Sequence, residues 1–174
     1  MKHYSIYFGK SISIGQSTND DKFELFKDKN GNFEFNYDIK IKNISINAYE
    51  IISLIFENKE ESDKYKINYD DHEYPIFFKK ENITIKFQDL FLHLFEKIKS
   101  FIPYFDNIII VFEKDIPYNL KIIIKIVGVL LGFKIFNFLD TFSAIRYYLE
   151  MIGNKFSNCF GIINENYNNN ICIY

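Results

Sequence analysis

Residues 83–152 read ITIKFQDLFLHLFEKIKSFIPYFDNIIIVFEKDIPYNLKIIIKIVGVLLGFKIFNFLDTFSAIRYYLEMI, and this stretch decides the fold. Phe87, Leu90, Phe91, Leu94, Phe95, Ile98 and Ile102 recur at steps of three and four, which predicts one apolar face of a helix. Pro103 ends it, because proline lacks the amide donor and its ring clashes with the preceding turn. Asn107 to Phe112 is a short β-branched run without alternation, as in a strand covered on both faces. Pro117 opens a second helix, with apolar positions at Leu120, Ile123, Ile124, Val127, Leu130 and Leu131. Gly132 is placed to stop that helix in the left-handed conformation, and Gly128 marks a point of close passage. Phe133 to Leu139 is a second buried strand. Asp140 then caps a third helix, Thr141 to Ile152, stopped by Gly153. Two apolar strands separated by a helix predict a parallel βαβ crossover.

Working outward, the N-terminal third predicts an antiparallel meander. Tyr4–Tyr7 and Ile12–Ile14 are strands around a turn at Phe8-Gly-Lys-Ser11. Phe23, Leu25 and then Phe33, Phe35 and Tyr37 alternate on either side of Asp28-Lys-Asn-Gly31, a hairpin signal. Ile46 to Phe56 reads as a short helix and Glu57 to Lys64 as a charged loop. Tyr65–Tyr69, Pro75–Phe78 and the pair Ile83 and Ile85 are further strand candidates. Phe156–Ile163 and Ile171–Tyr174 would be strands around an asparagine-rich turn. The expected fold class is α/β, with a mixed sheet in which an antiparallel meander is followed by parallel βαβα, in the manner of ribonuclease H-like folds. Residues 1–174 are expected to form a single domain.

Composition narrows the function classes. With 48% hydrophobic residues the chain can bury a full core. Its 20 Phe and 13 Tyr, with no Trp, accompany abundant Ile, Asn and Lys, which suits AT-rich coding DNA rather than a chemistry. The 21 basic and 23 acidic residues leave a net charge of −2 without a basic stripe, so DNA is not an expected partner. The N-terminal Met1-Lys-His-Tyr4 lacks an apolar signal core, and the apolar run Ile122–Phe133 is short and carries Lys125. No membrane partner is expected, and the expected location is cytoplasmic. Cys159 and Cys172 then read by default as reduced, buried thiols, with a disulfide as the lesser alternative.

Isolated candidates carry little chemistry. Asp70-Asp-His-Glu73 contains four potential metal ligands, but adjacent residues of a hairpin point to alternate faces, so a solvated turn is expected and no metal site. His93 lies on the first long helix, where a surface or half-buried histidine is the expectation. Gly9-Lys-Ser11 superficially resembles a phosphate loop, but it enters a strand instead of a helix. Glu57 to Lys64 is a solvated loop or a partner contact.

The element order resembles the first lobe of the ATPase domain of DnaK-type (seventy-kilodalton heat-shock) chaperones. That lobe belongs to the ribonuclease H-like group that includes actin. The likeness lies in Ile110-Val-Phe-Glu-Lys114, in Gly128 and Gly132 with the family's glycine spacing, and in Asp140-Thr-Phe-Ser-Ala-Ile-Arg146, where Ser143 and Ala144 keep the family pattern. The same resemblance implies that the catalytic parts are lost. Tyr7 stands where the family has its metal-binding aspartate, Tyr49 falls at the catalytic lysine and Thr141 at a glutamate. Gly9, Lys10 and Ser11 would be a vestigial phosphate turn. The second phosphate loop would fall between Ile162 and Asn169, which has no glycine and only Glu165 as an acid. Ile6-Tyr-Phe-Gly9 is similar to the first strand of the Ssz-type member of the ribosome-associated complex.

What the resemblance implies is a degenerate, non-enzymatic lobe without a cofactor, docking on a protein partner or the ribosome, with a J-protein as a candidate co-chaperone. Phe8, Phe142 and Tyr147 are the expected docking surface. The alternative is a residual ATP- or ADP-binding chaperone subunit completed by a separate second-lobe chain. Chemistry of the ribonuclease H type itself would need several acids at strand ends, where the first strand offers aromatics.

Overall fold

A computed structural model describes residues 4–9, 11–17, 23–25, 38–56, 65–71, 75–100 and 107–144. The protein is mixed α/β. Its main sheet contains β1 (Tyr4–Phe8), β2 (Ile12–Ser17), β3 (Phe23–Leu25), β9 (Asn107–Phe112) and β10 (Lys134–Asp140), in the order β10-β9-β1-β2-β3. The strands β1, β2 and β3 form an antiparallel meander, while β9 pairs in parallel with both β1 and β10. Among the described residues, two small antiparallel sheets hold the other strands. One joins β4 (Ile39–Ile41) to β5 (Ile44–Ile46), and the other joins β6 (Asn68–Tyr69), β7 (Pro75–Lys80) and β8 (Ile83–Lys86). The helices among the described residues are α1 (Ala48–Ile55), α2 (Phe87–Lys99) and α3 (Tyr118–Leu130), with a further helix begun at residues 141–144.

The periodicity of α2 acts as expected, whereas β10, expected to be a buried strand, ends the sheet order among the described residues and has Lys134, Asn137 and Asp140 exposed and Phe138 and Leu139 half-buried. On α2, Phe87, Leu90, Phe91, Leu94, Phe95 and Ile98 are all fully buried, because one stripe of the helix faces the core. This helix packs on α3 and on β4, β7 and β8. Pro117 stands at the N-cap of α3, one residue outside the helix. Gly132 has φ 85° and closes the other end. Its amide donates to the Val129 carbonyl at 3.0 Å, and the Phe133 amide donates to that of Gly128 at 2.8 Å. Together these bonds make a Schellman stop that leads α3 straight into β10. Lys99 Nζ donates to the Leu131 carbonyl at 3.1 Å, from the end of the neighbouring helix.

Strand alternation places one face of the main sheet in the core. Tyr4, Ile6, Phe8, Ile12, Ile14, Ile108, Ile110 and Phe112 are buried on it. The opposite face carries Ser5, Tyr7, Ser13, Ile109 and Val111, all half-buried. The continuous apolar run of β9 is thus fully covered on one face and partly covered on the other.

Several expectations need adjustment. Ile39 to Ile46 is a β-hairpin, and only from Ala48 does the chain turn helical, after Asn47 closes a capping box with Glu50. Within Tyr65–Tyr69, only Asn68 and Tyr69 form strand. The expected strands at 33–37, 156–163 and 171–174, the cysteines, and the third helix beyond Ala144 lie outside the described residues.

Both small hairpins turn through two non-glycine residues with positive φ: Lys42 (49°) and Asn43 (70°), and Glu81 (52°) and Asn82 (64°). Positive φ at both central positions is the turn sense that matches strand twist. Asparagine tolerates this region; glutamate and lysine do not. Glu81→Asn is therefore expected to raise stability by about 0.5–1 kcal/mol, read as a higher urea midpoint with an unchanged slope.

Candidate functional site

In parallel α/β sheets, ligands collect at the carboxyl ends of the strands. Here β1, β9 and β10 end side by side, with Phe8, Phe112 and Asp140 in register across the three strands. Phe112 stacks on Phe8 at 5.4 Å and on Phe138 at 6.2 Å, and meets Phe56 in a perpendicular pair at 6.5 Å. The sheet end is thus floored by aromatic rings. The strand-end carbonyls are also engaged: the Glu113 amide donates to the Phe8 oxygen at 2.8 Å, and Thr141 Oγ1 donates to that of Phe112 at 3.3 Å.

Of the residues singled out from sequence, the structure brings Tyr7, Gly9, Ser11 and Thr141 to this end. The Gly9 amide donates to the Ser11 carbonyl at 3.1 Å, so it is spent inside the turn instead of facing a phosphate. The Tyr7 ring lies directly over Gly9: a Cβ there would fall 2.5 Å from both Cε1 and Cζ of Tyr7, and against its hydroxyl. Lys10 lies outside the described residues. Tyr49 stands apart on α1, 57% exposed.

The docking residues expected from sequence divide. Phe8 requires correction: it is fully buried in the sheet core, because Tyr4, Ile6 and Phe8 alternate onto the covered face. Phe142 is 49% exposed, and Tyr147 lies outside the described residues.

The overlap of Tyr7 and Gly9 can be tested directly. Gly9→Ala is expected to cost about 1 kcal/mol, because the methyl must push the ring aside. Adding Tyr7→Ala should return most of that loss, and a double-mutant cycle from urea midpoints reads the coupling.

Beside the aromatic floor is a cavity of about 90 Å³ lined by Phe112, Lys114, Asp115, Lys121, Phe138, Leu139, Asp140 and Ser143. That is well below the roughly 300–1,000 Å³ of a typical small-molecule site. Asp115, Lys121 and Asp140 are satisfied locally. Lys121 Nζ is 2.5 Å from Asp115 Oδ1. Asp140 accepts from the Ser143 amide at 2.7 Å and from its hydroxyl at 2.9 Å. The Ser143 amide bond is the main reason that the Asp140 carboxyl sits below its ordinary range. Asp140 is thus the N-cap that the sequence indicated. Lys114 and Asp115, after β9, and Lys121, on α3, carried no sequence signal for chemistry.

Two further features were not expected from sequence. One is a half-buried ion pair, Lys80 Nζ to Glu50 Oε1 at 2.6 Å, to which the Tyr65 hydroxyl also donates at 2.5 Å. Lys80 further reaches the Ser45 carbonyl at 2.6 Å. This cluster clamps α1 and β5 to β7. The other is the outer face of α3, where Tyr118 (68%), Ile122 (41%), Ile126 (50%), Val129 (63%) and Leu130 (67%) are exposed. His93 is a surface histidine, with Nδ1 3.2 Å from Glu96 Oε2. Asp70 and Asp71 are exposed, and among the described residues no three His, Cys, Asp or Glu side chains are grouped to hold a metal. Among them too, no helix is long and apolar enough to cross a membrane.

No known family's sequence model matches the chain, and no curated protein matches it.

Proposed function

We propose that this chain is a non-catalytic interaction protein, a degenerate chaperone-ATPase-like lobe of the ribonuclease H-like kind that docks on a larger assembly, first of all the ribosome. The observation that carries the reading is the Tyr7–Gly9 contact. Phosphoryl transfer consists almost wholly of positioning and charge neutralisation. At the strand end where that chemistry would need a metal carboxylate and an open glycine turn, an aromatic ring lies on the glycine and the glycine amide is already bonded. The sheet supports the fold assignment, since an antiparallel meander and a parallel βαβ unit share one sheet around β1. The exposed face of α3 supports docking, because contiguous exposed apolar surface marks interaction sites. A cytoplasmic ribosome-associated factor with a J-protein partner is the specific form of this proposal.

Co-sedimentation of the tagged chain with ribosomes from its own cells, at moderate and high salt, tests it. Stoichiometric sedimentation that survives salt is the expected result; a chain left at the top of the gradient overturns it. Saturable binding of a fluorescent ADP analogue would favour the nucleotide-binding alternative instead.

A further inference from the structure

We infer that the outer face of α3 is the docking surface and that its occupant is an acidic amphipathic helix of a protein partner. This deepens the docking proposal above and rests on it.

The helix carries two apolar stripes. Leu120, Ile124 and Val127 are fully buried. Tyr118, Ile122, Ile126, Val129 and Leu130 project elsewhere and remain at least two-fifths exposed. At 3.6 residues per turn these five fall within an arc of about 120° and run along about 18 Å of helix. That is the i, i+4, i+8 pattern by which one helix offers itself to another.

The charges choose the partner. Residues 118–130 contain no aspartate or glutamate. Lys125 lies on one edge of the stripe and is exposed at the middle of the helix, while Lys121, one turn earlier on the same edge, is already paired with Asp115. Two copies of this chain meeting through α3 around a two-fold axis would set the Lys125 side chains against each other near the centre, with no carboxylate on either helix to answer them. Like charges so placed oppose association. A partner helix with a leucine- or isoleucine-rich face and a glutamate edge meets both demands. A nucleic acid would answer Lys125 but leave the five apolar side chains in water.

The test uses the full chain and two fluorescein-labelled amphipathic peptides with identical leucine faces, one edged with glutamate and the other with lysine. Fluorescence anisotropy is expected to show the glutamate peptide binding at least tenfold tighter. Lys125→Glu should reverse or erase that preference, and Val129→Glu should abolish binding of both peptides. Both positions are exposed, so both variants should retain the far-UV circular dichroism of the parent. Equal binding of the two peptides, or binding of neither, overturns the inference. So does a concentration-dependent dimer that Val129→Glu dissolves, which would give the face to a second copy. Ribosome co-sedimentation that persists in Val129→Glu overturns the assignment of the surface while leaving the docking proposal in place; loss of co-sedimentation by the parent chain removes the docking proposal itself.

Discussion

Phe112→Ala is expected to cost about 3–5 kcal/mol of folding stability, the largest effect of any single truncation considered for this chain. Phe112 is 2% exposed and ends the strand between β1 and β10. Its ring is sandwiched between Phe8 and Phe138 and met perpendicularly by Phe56, so it joins three strands to the end of α1. Truncation removes the buried ring and leaves a cavity that rigid neighbours on parallel strands cannot close. Against a total stability of about 5–15 kcal/mol, such a loss is severe. With a urea slope of about 1–3 kcal/mol/M, the midpoint should fall by more than about 1 M. Phe142→Ala is the control: with Phe142 49% exposed, its change should stay within about 0.5 kcal/mol. A Phe112 variant that lost no more than this control would show that the aromatic layer is not what holds the sheet end together.

Lys80→Met should lower stability by about 2 kcal/mol, because it leaves the half-buried Glu50 carboxylate without its cation and the Ser45 carbonyl without its donor. Its pH dependence is the sharper readout. Burial is the largest influence on Glu50 and pushes its carboxyl upward. The hydrogen bonds from Lys80, Tyr65 and the Asn47 amide, with the Lys80 charge, together outweigh it and hold Glu50 below the ordinary value of 4.5. The folded state therefore binds this proton less readily than the unfolded chain. The resulting stabilisation is fully present above the unfolded value and is lost as pH falls through the folded one. In Lys80→Met the lysine's contributions go and burial stays, so the acid-side loss should begin at higher pH than in the parent. Urea midpoints of parent, Lys80→Met and Glu50→Gln between pH 3 and 7 would decide this. An unchanged acid limb in Lys80→Met would show that the pair does not hold the carboxylate down.

Where local rules and packing agree, the sequence could be read directly. Gly132 stops α3 and Asp140 caps the following helix because each solves a local hydrogen-bonding problem that no distant residue can override. The α2 stripe was legible because its other positions are polar. The outer face of α3 was not: a helix apolar almost all round hides which side the core takes, and Leu130, grouped with the apolar positions of the helix, is exposed. The hairpin from Ile39 to Ile46 alternates plainly, but it turns through Lys42 and Asn43 without a glycine, so the turn gave no warning. Phe8 was drawn to the surface by its place before a glycine turn, although alternation with Tyr4 and Ile6 sends it inward. The Glu50–Lys80–Tyr65 clamp depends on residues up to 30 positions apart, and no local pattern announces it.

The register of β1 on β9 sets Tyr4 opposite Ile108, about 100 residues further along the chain. During synthesis the middle strand of the sheet must therefore wait for a neighbour that the ribosome has not yet made. At 5–20 residues per second the wait is roughly 5–20 s. Through that interval β1 can be held on one side only, by β2, with its other edge open. The βαβ unit needs no such delay, because α3 feeds β10 through a three-residue stop and all its partners are near in sequence. Closure of the sheet is then a late event, in which a completed C-terminal unit docks on an N-terminal meander that has been exposed since early translation.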